Sequence, residues 1–289
     1  MLRLGISARC LENGQSAHEF ARQTAEMGFS SIQLSLPETL TSIDTGYGRL
    51  SAGMARHIGD AFRERGVQIA SIECYINPIH PDPALRRRQL ELFKERIRYA
   101  RDFGCGMVST ETGSLNADFS WHPDNHGEAA YELCVSGLRE LVREAETFGV
   151  KLGIEGVTSF VANSPDKLAR MIADVGSSHL HIVFDPANLL SADNIDGQAA
   201  MIRRSFELFG DRIELVHAKD FVLEEGRKRA VPPGTGEVDY GLLFGLLKER
   251  KPYMNVVLDH SGLPIVPEDM ERLRSLYAGA RSPAQLIER

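Results

Sequence analysis

Glu155 in KLGIEG, Asp185 in HIVFDPAN, His217 in IELVHAKD and Asp259 in NVVLDH each end a short, β-rich run. They stand 30, 32 and 42 residues apart, and each interval has room for one strand, one helix and their loops. In a barrel of parallel strands, such positions point inward at one rim. Three carboxylates and one imidazole meeting there make a hard, oxygen-rich site for one divalent ion (Mn2+, Mg2+, Co2+ or Zn2+). Singly, each has a plainer use: a Glu can cap a helix, Asp185 before Pro186 can form a turn, and a lone His can sit satisfied in a core. Jointly the plain uses fail, because burying three acids at one rim without a cation is costly.

Eight runs can carry strands: LRLGISA, SSIQLSL, VQIASIEC, GMVSTET, KLGIEG, LHIVFD, IELVHAKD and NVVLDH. Between them lie stretches with apolar residues at three- and four-residue spacing, from AHEFARQTAEMG to PEDMERLRSLYAGA, which predict helices. Gly28, Gly66, Gly104, Gly149, Gly176 and Gly210 stand where these helices should stop. Strict alternation predicts an α/β protein, a single (β/α)8 TIM barrel spanning 1–289, with a tail at 281–289 expected to be partly disordered. An open nucleotide-binding sheet would need a glycine-rich first turn, and SARCLENGQS lacks GxGxxG. The long loops, 37–50, 75–82, 113–127 and 221–237, all follow strands, so they mark the same rim as the four candidates.

Forty acids against 33 bases give a formal charge of −7, which disfavours a nucleic-acid binder. Arg86, Arg87 and Arg88 form the tight basic run and read as a solvated helix face. Cys10, Cys74, Cys105 and Cys134 are scattered without CxxC, as expected of small core residues in a reducing compartment. MLRLGISA reads as a strand rather than a secretion signal, and no apolar run nears the ~18 residues that span a bilayer. These features predict a cytoplasmic protein that engages a small molecule, not nucleic acid or a membrane, and they are compatible with a homo-oligomer.

GIEG, FDPANLL, VHAKD followed by GTGEVDY, and the final VVLDH resemble the xylose isomerase-like TIM barrel superfamily, within it the sugar phosphate isomerase/epimerase group. Relatives there include tagatose/psicose 3-epimerases, inosose isomerases and dehydratases, hydroxypyruvate isomerase and endonuclease IV. The resemblance covers nearly the whole chain. It implies one divalent metal ion held by Glu155, Asp185, His217 and Asp259, with Glu155 and Asp259 also moving protons. The family's last ligand is commonly Glu, so Asp259 is one methylene short. The residue three after the second ligand is often His and here is Asn188. With no DxH after Lys219-Asp220, endonuclease-type multi-zinc chemistry is disfavoured.

The activity implied is a metal-dependent isomerase or epimerase of a small keto-sugar or polyol-derived ketone, working through an enediolate. An ion gripping a carbonyl and its neighbouring hydroxyl acidifies the adjacent C–H, and a carboxylate beside it takes the proton. The alternatives are an inosose-type dehydratase on the same site and a catalytically inactive carbohydrate-binding barrel. Candidate substrate contacts are Glu73, Asn77 and His80 after the third strand, Glu111 ending the fourth, Trp121 as a cover for a sugar face, and Asn188 and Lys219. Lys219 could equally pair with Asp220 at the surface. PPGTGEVDY reads as a turn opening a helix, with Asp239 as its cap, so a phosphate on the substrate is not implied.

Overall fold

The structure, a computed structural model, describes residues 2–11, 16–259, 264 and 267–281. His260 and all of the tail except Arg281 therefore lie outside the described residues. The strands are β1 (Arg3–Ser7), β2 (Ser31–Ser35), β3 (Gln68–Glu73), β4 (Met107–Glu111), β5 (Lys151–Glu155), β6 (Leu180–Phe184), β7 (Ile213–Ala218), β8 (Asp220–Glu224), β9 (Arg227–Val231) and β10 (Asn255–Leu258). Eight of them close a barrel in the order β1-β10-β7-β6-β5-β4-β3-β2, with every neighbouring pair parallel. Helices α1 (Ala17–Glu26), α2 (Leu36–Thr39), α3 (Ala52–Glu64), α4 (Pro83–Ala100), α5 (Glu128–Phe148), α6 (Pro165–Val175), α7 (Gln198–Phe209), α8 (Tyr240–Arg250) and α9 (Pro267–Gly279) follow the strands. The fold is the expected (β/α)8 TIM barrel.

The two-residue period of the strands sorts side chains between two compartments. Ile32, Leu34, Val108, Leu152, Ile154, Phe184 and Val216 are buried in the main core, where helix residues such as Phe20, Phe62, Phe93 and Phe206 also lie. Each such side chain contributes ~1.5–3 kcal/mol by leaving water. The alternate residues point into the barrel. Met107, Val183, Leu215 and Val257 form an apolar floor there. Two residues further along their strands stand Ser109, Asp185, His217 and Asp259, so the strand period itself lifts the chemistry-bearing residues onto that floor. On β5 the floor position is Gly153; a Cβ there would lie 3.1 Å from both Met107 Sδ and Val183 Cγ2, so the crowded interior requires glycine beneath Glu155.

The helix signals act where the sequence places them. Ser16 caps α1 in a box with Glu19, and Asp239 caps α8 by accepting from Leu242 N at 2.9 Å. Gly28, Gly66, Gly104, Gly149 and Gly176 adopt φ between +63° and +84°. Gly210 does not: its φ is −51°, because α7 runs directly into a 3-10 turn over Gly210–Arg212.

The segment after β7 departs from expectation. IELVHAKD is not one strand; β7 stops at Ala218, and Asp220 opens an antiparallel hairpin, β8–β9, inside what reads as a loop. Asp220 is 2% exposed, which rules out a surface pair with Lys219. Its carboxylate accepts from the backbone N–H groups of Phe221 and Val238 on Oδ1 and of Gly234 and Gly236 on Oδ2, at 2.9–3.1 Å. Gly236 passes so close that a Cβ would meet Phe221 O at 2.2 Å. The glycines of PPGTGEVDY thus wrap their N–H groups around an internal carboxylate. Asp220→Ala strands these donors and is expected to destabilise the protein by ~2–4 kcal/mol. That corresponds to a midpoint ~5–10 °C lower in thermal unfolding, with Asp220→Asn in between; an unchanged midpoint would contradict the clamp.

Candidate metal centre

Asp185 and His217 stand directly above the floor, on the barrel axis side of β6 and β7, and Glu155 ends β5 beside them. All three are 1–2% exposed. One ligand atom from each lies within 4.8 Å of the others, the one such group of three or more found among the described residues. His217 Nδ1 is 3.4 Å from Glu155 Oε1 and 3.7 Å from Asp185 Oδ2. The other ring nitrogen, Nε2, is 2.7 Å from Gln33 Oε1, and donating to that oxygen leaves Nδ1 turned toward the carboxylates. Burial alone would lower the His217 pKa, but Glu155 and Asp185 outweigh it and hold the imidazolium well above its ordinary range.

Asp185 Oδ2 and His217 Nδ1 are buried without a hydrogen-bond partner. Buried polar atoms are normally satisfied, so two such atoms facing one point fit a cation between them. Carboxylate oxygen and imidazole nitrogen are donors suited to Mn2+, Mg2+, Co2+ or Zn2+, and Glu155, Asp185 and His217 would hold the ion.

Asp259 stands apart from this group. Its Oδ2 lies 3.2 Å from Lys219 Nζ, whose other carboxylate neighbour is Asp185 at 3.9 Å. Burial pushes the Asp259 carboxyl up, yet Lys219 and His217 more than offset this and keep it below the usual range. Lys219 is held cationic by Asp185 and Asp259 against the pull of burial. Asn188 is half-buried and bonds to two members of the centre. Its Nδ2 donates to Glu155 Oε1 at 2.6 Å and its backbone N–H to Asp185 Oδ1 at 3.0 Å.

The remaining candidates separate into wall and scaffold. Glu111 is in register with Glu155 on the adjacent strand. Burial and the charge of Glu155 push its carboxyl up to about 8, against the opposing effect of Lys219 and Arg9. Glu73 is buried and paired with Arg9. Asn77 donates to Ser114 O and Asn116 O and accepts from Ser114 N, tying the loop after β3 to the loop after β4. His80 Nδ1 accepts from Asp82 N at 3.1 Å, within the turn leading to α4. Trp121 is 58% exposed on the loop after β4.

Three residues near the centre escape a reading by motif. Tyr75 Oη donates to Glu155 Oε2 at 3.2 Å; burial and Glu155 keep its phenol neutral well beyond pH 10. The Arg9 guanidinium lies 4.6 Å from the centre of that ring. Gln33 carries the third contact, to His217. The available signal was alternation: Ser31, Gln33 and Ser35 interleave with Ile32, Leu34 and Leu36, which puts polar groups on the barrel's inside.

The family model described as xylose isomerase-like TIM barrel matches residues 21–276. The chain belongs to that family. The L-ribulose-5-phosphate 3-epimerases of Salmonella paratyphi A and of Escherichia coli are each 25% identical to it over 252 residues, which is 85% of this chain and 82% of each enzyme. Among solved structures, a xylose isomerase-like TIM barrel protein from Mycobacterium smegmatis in complex with magnesium superposes with a TM-score of 0.73 at 18% identity, covering 96% of this chain and 95% of that one. A D-tagatose 3-epimerase-like protein does so at 0.72 and 19%, covering 96% of both. At these identities the structural likenesses show the barrel. The sequence relatives are sugar epimerases, which supports an enzyme. No helix among the described residues is long and apolar enough to cross a membrane.

Proposed function

We propose that this protein is a divalent-metal-dependent epimerase or isomerase of a small keto-sugar or polyol-derived ketone. The observation that carries the reading is the pair of unpartnered buried atoms, Asp185 Oδ2 and His217 Nδ1, facing Glu155 on the barrel floor. When bound there, the ion would polarise a substrate carbonyl and acidify the neighbouring C–H. Glu155 is the base that removes this proton; the C–H electron pair forms a C=C bond as the carbonyl π pair moves onto oxygen, which gives an enediolate. Asn188 and Tyr75, one on each Glu155 oxygen, hold the carboxylate in place. The Lys219 ammonium, between Asp185 and Asp259, supplies positive charge to the developing oxyanion.

Epimerisation requires a second proton carrier on the other face of the enediolate. β6 and β7 separate β5 from β10 in the ring, so Asp259 reaches the centre from a different direction than Glu155. Asp259 is the residue proposed for that role: its carboxylate takes a proton from solvent, against the Lys219 charge that favours its anion, and passes it to the other face of the enediolate.

The test is a panel of ketoses and inososes offered to Mn2+-loaded protein in D2O. Deuterium should enter at the carbon next to the carbonyl of one substrate with rearranged or inverted product; water loss with an enone absorbance would instead mark a dehydratase. No uptake with any substrate or metal would sink the reading. Asp259→Asn should separate the two proton steps. Uptake through Glu155 should persist within about tenfold while inversion falls about 100-fold, the scale of one acid/base group. Equal loss of both would assign Asp259 to the ion instead.

A further inference from the structure

The hairpin carries a cation that the chemistry above does not use. Across the β8–β9 ladder Phe221 pairs with Ala230 and Leu223 with Lys228. The two-residue period puts these four on one face, and Val222, Glu224, Arg227 and Arg229 on the other. Phe221 is buried and Leu223 packs against the core, so the face of the four is turned to the barrel. Lys228 is the charged residue among them. Arg229, on the outer face, pairs with Glu224 at 2.8 Å, whereas among the described residues no carboxylate lies within ion-pairing distance of Lys228. Its ammonium lies 4.9 Å from the centre of the Phe221 ring and donates to Ala187 O at 2.6 Å. That carbonyl belongs to the loop carrying Asp185 and Asn188, so the charge lies against that loop with two N–H donors to spare. Although the residue as a whole is exposed, burial of the ammonium depresses it to about 8, and the attraction of Asp185 is opposed by Lys219. A part-buried ammonium without an ion-pair partner among the described residues, held against the loop that carries Asp185, suits a substrate with an anionic second end.

We propose that Lys228 binds a phosphate or carboxylate at the end of the substrate remote from the reacting carbonyl, so that the protein acts on anionic rather than neutral keto-sugars. The assignment of the reacting end rests on the epimerase or isomerase reading; the anion subsite does not.

Two measurements keep these apart. Full-length protein is titrated calorimetrically with inorganic phosphate at pH 7. Deuterium uptake by Mn2+-loaded protein is then followed with a ketopentose, its 5-phosphate and the matching keto-acid sugar. Lys228→Met should weaken phosphate binding by ~10–100-fold and raise KM for the preferred anionic substrate by a similar factor, the scale of a charge-assisted contact, with kcat and the neutral sugar unchanged. Lys228→Arg should restore most of the binding. The better of the phosphate and carboxylate substrates identifies the anion. Equal phosphate affinity in wild type and Lys228→Met, or equal effects on charged and neutral sugars, would overturn the proposal. If no substrate takes up deuterium, the epimerase or isomerase reading falls, and the phosphate titration still judges Lys228.

Discussion

Glu155→Gln should slow proton exchange with solvent by about 1,000-fold, within the 100- to 10,000-fold range of a positioned general base. Gln matches Glu in shape. Its carbonyl oxygen can still accept from Asn188 Nδ2, and its amide can donate to Tyr75 Oη, so the two contacts that hold Glu155 survive the change. The amide cannot take a proton at neutral pH. Metal binding should weaken yet persist through Asp185 and His217, which keep their donor atoms and their placement on the barrel floor. The measurement is deuterium uptake under saturating Mn2+, with metal content determined on the same sample. Uptake at the wild-type rate would remove Glu155 from the role of base. Loss of the ion together with uptake would show that the carboxylate acts mainly as a ligand. Glu111 offers an internal control. It sits in register beside Glu155, and in the metal-free protein burial and the charge of Glu155 raise its carboxyl to about 8. Glu111→Gln should therefore change the rate far less than Glu155→Gln.

The contrast between these two glutamates shows what the amino-acid sequence can and cannot display. Glu155, Asp185 and His217 are legible because strand ends in a barrel converge, and a linear spacing of one strand plus one helix reports that convergence. The helices are legible for a similar reason: their apolar periods and caps are local signals, and α1, α3 and α4 to α9 fall where those signals place them. The pairing of Lys219 with Asp259 rather than with Asp220 is not legible, since it depends on β7 ending one residue before Lys219. Asp220 looks like a solvated charge until the hairpin folds back and four backbone N–H groups close on it. Gln33 and Tyr75 carry no motif at all. Each is an ordinary polar residue whose importance comes from a partner 184 or 80 positions away.

Removing the divalent ion should abolish turnover and make the protein's stability depend on pH in a defined direction. In chelator-treated protein, His217 binds its proton more tightly than in the unfolded chain, because Glu155 and Asp185 face it. A group with a raised folded pKa stabilises the fold below its unfolded value, ~6.5 for histidine, and that contribution disappears as pH rises through the folded value. Chelated protein should therefore lose thermal stability on the alkaline side of ~6.5. Ion binding requires the neutral imidazole, so the ion displaces the proton and affinity climbs with pH. At an ion concentration of ~100 times Kd the gain should be ~2.7 kcal/mol. For a chain of this size that is a rise of ~5–10 °C in Tm. The rise should be larger at pH 8 than at pH 6, and calorimetry in buffers of different ionisation enthalpy should show proton release on binding. A Tm gain independent of pH would mean that His217 does not exchange its proton for the ion. No gain with Mn2+, Mg2+, Co2+ or Zn2+ would leave the orphaned Asp185 and His217 atoms without the cation their geometry calls for.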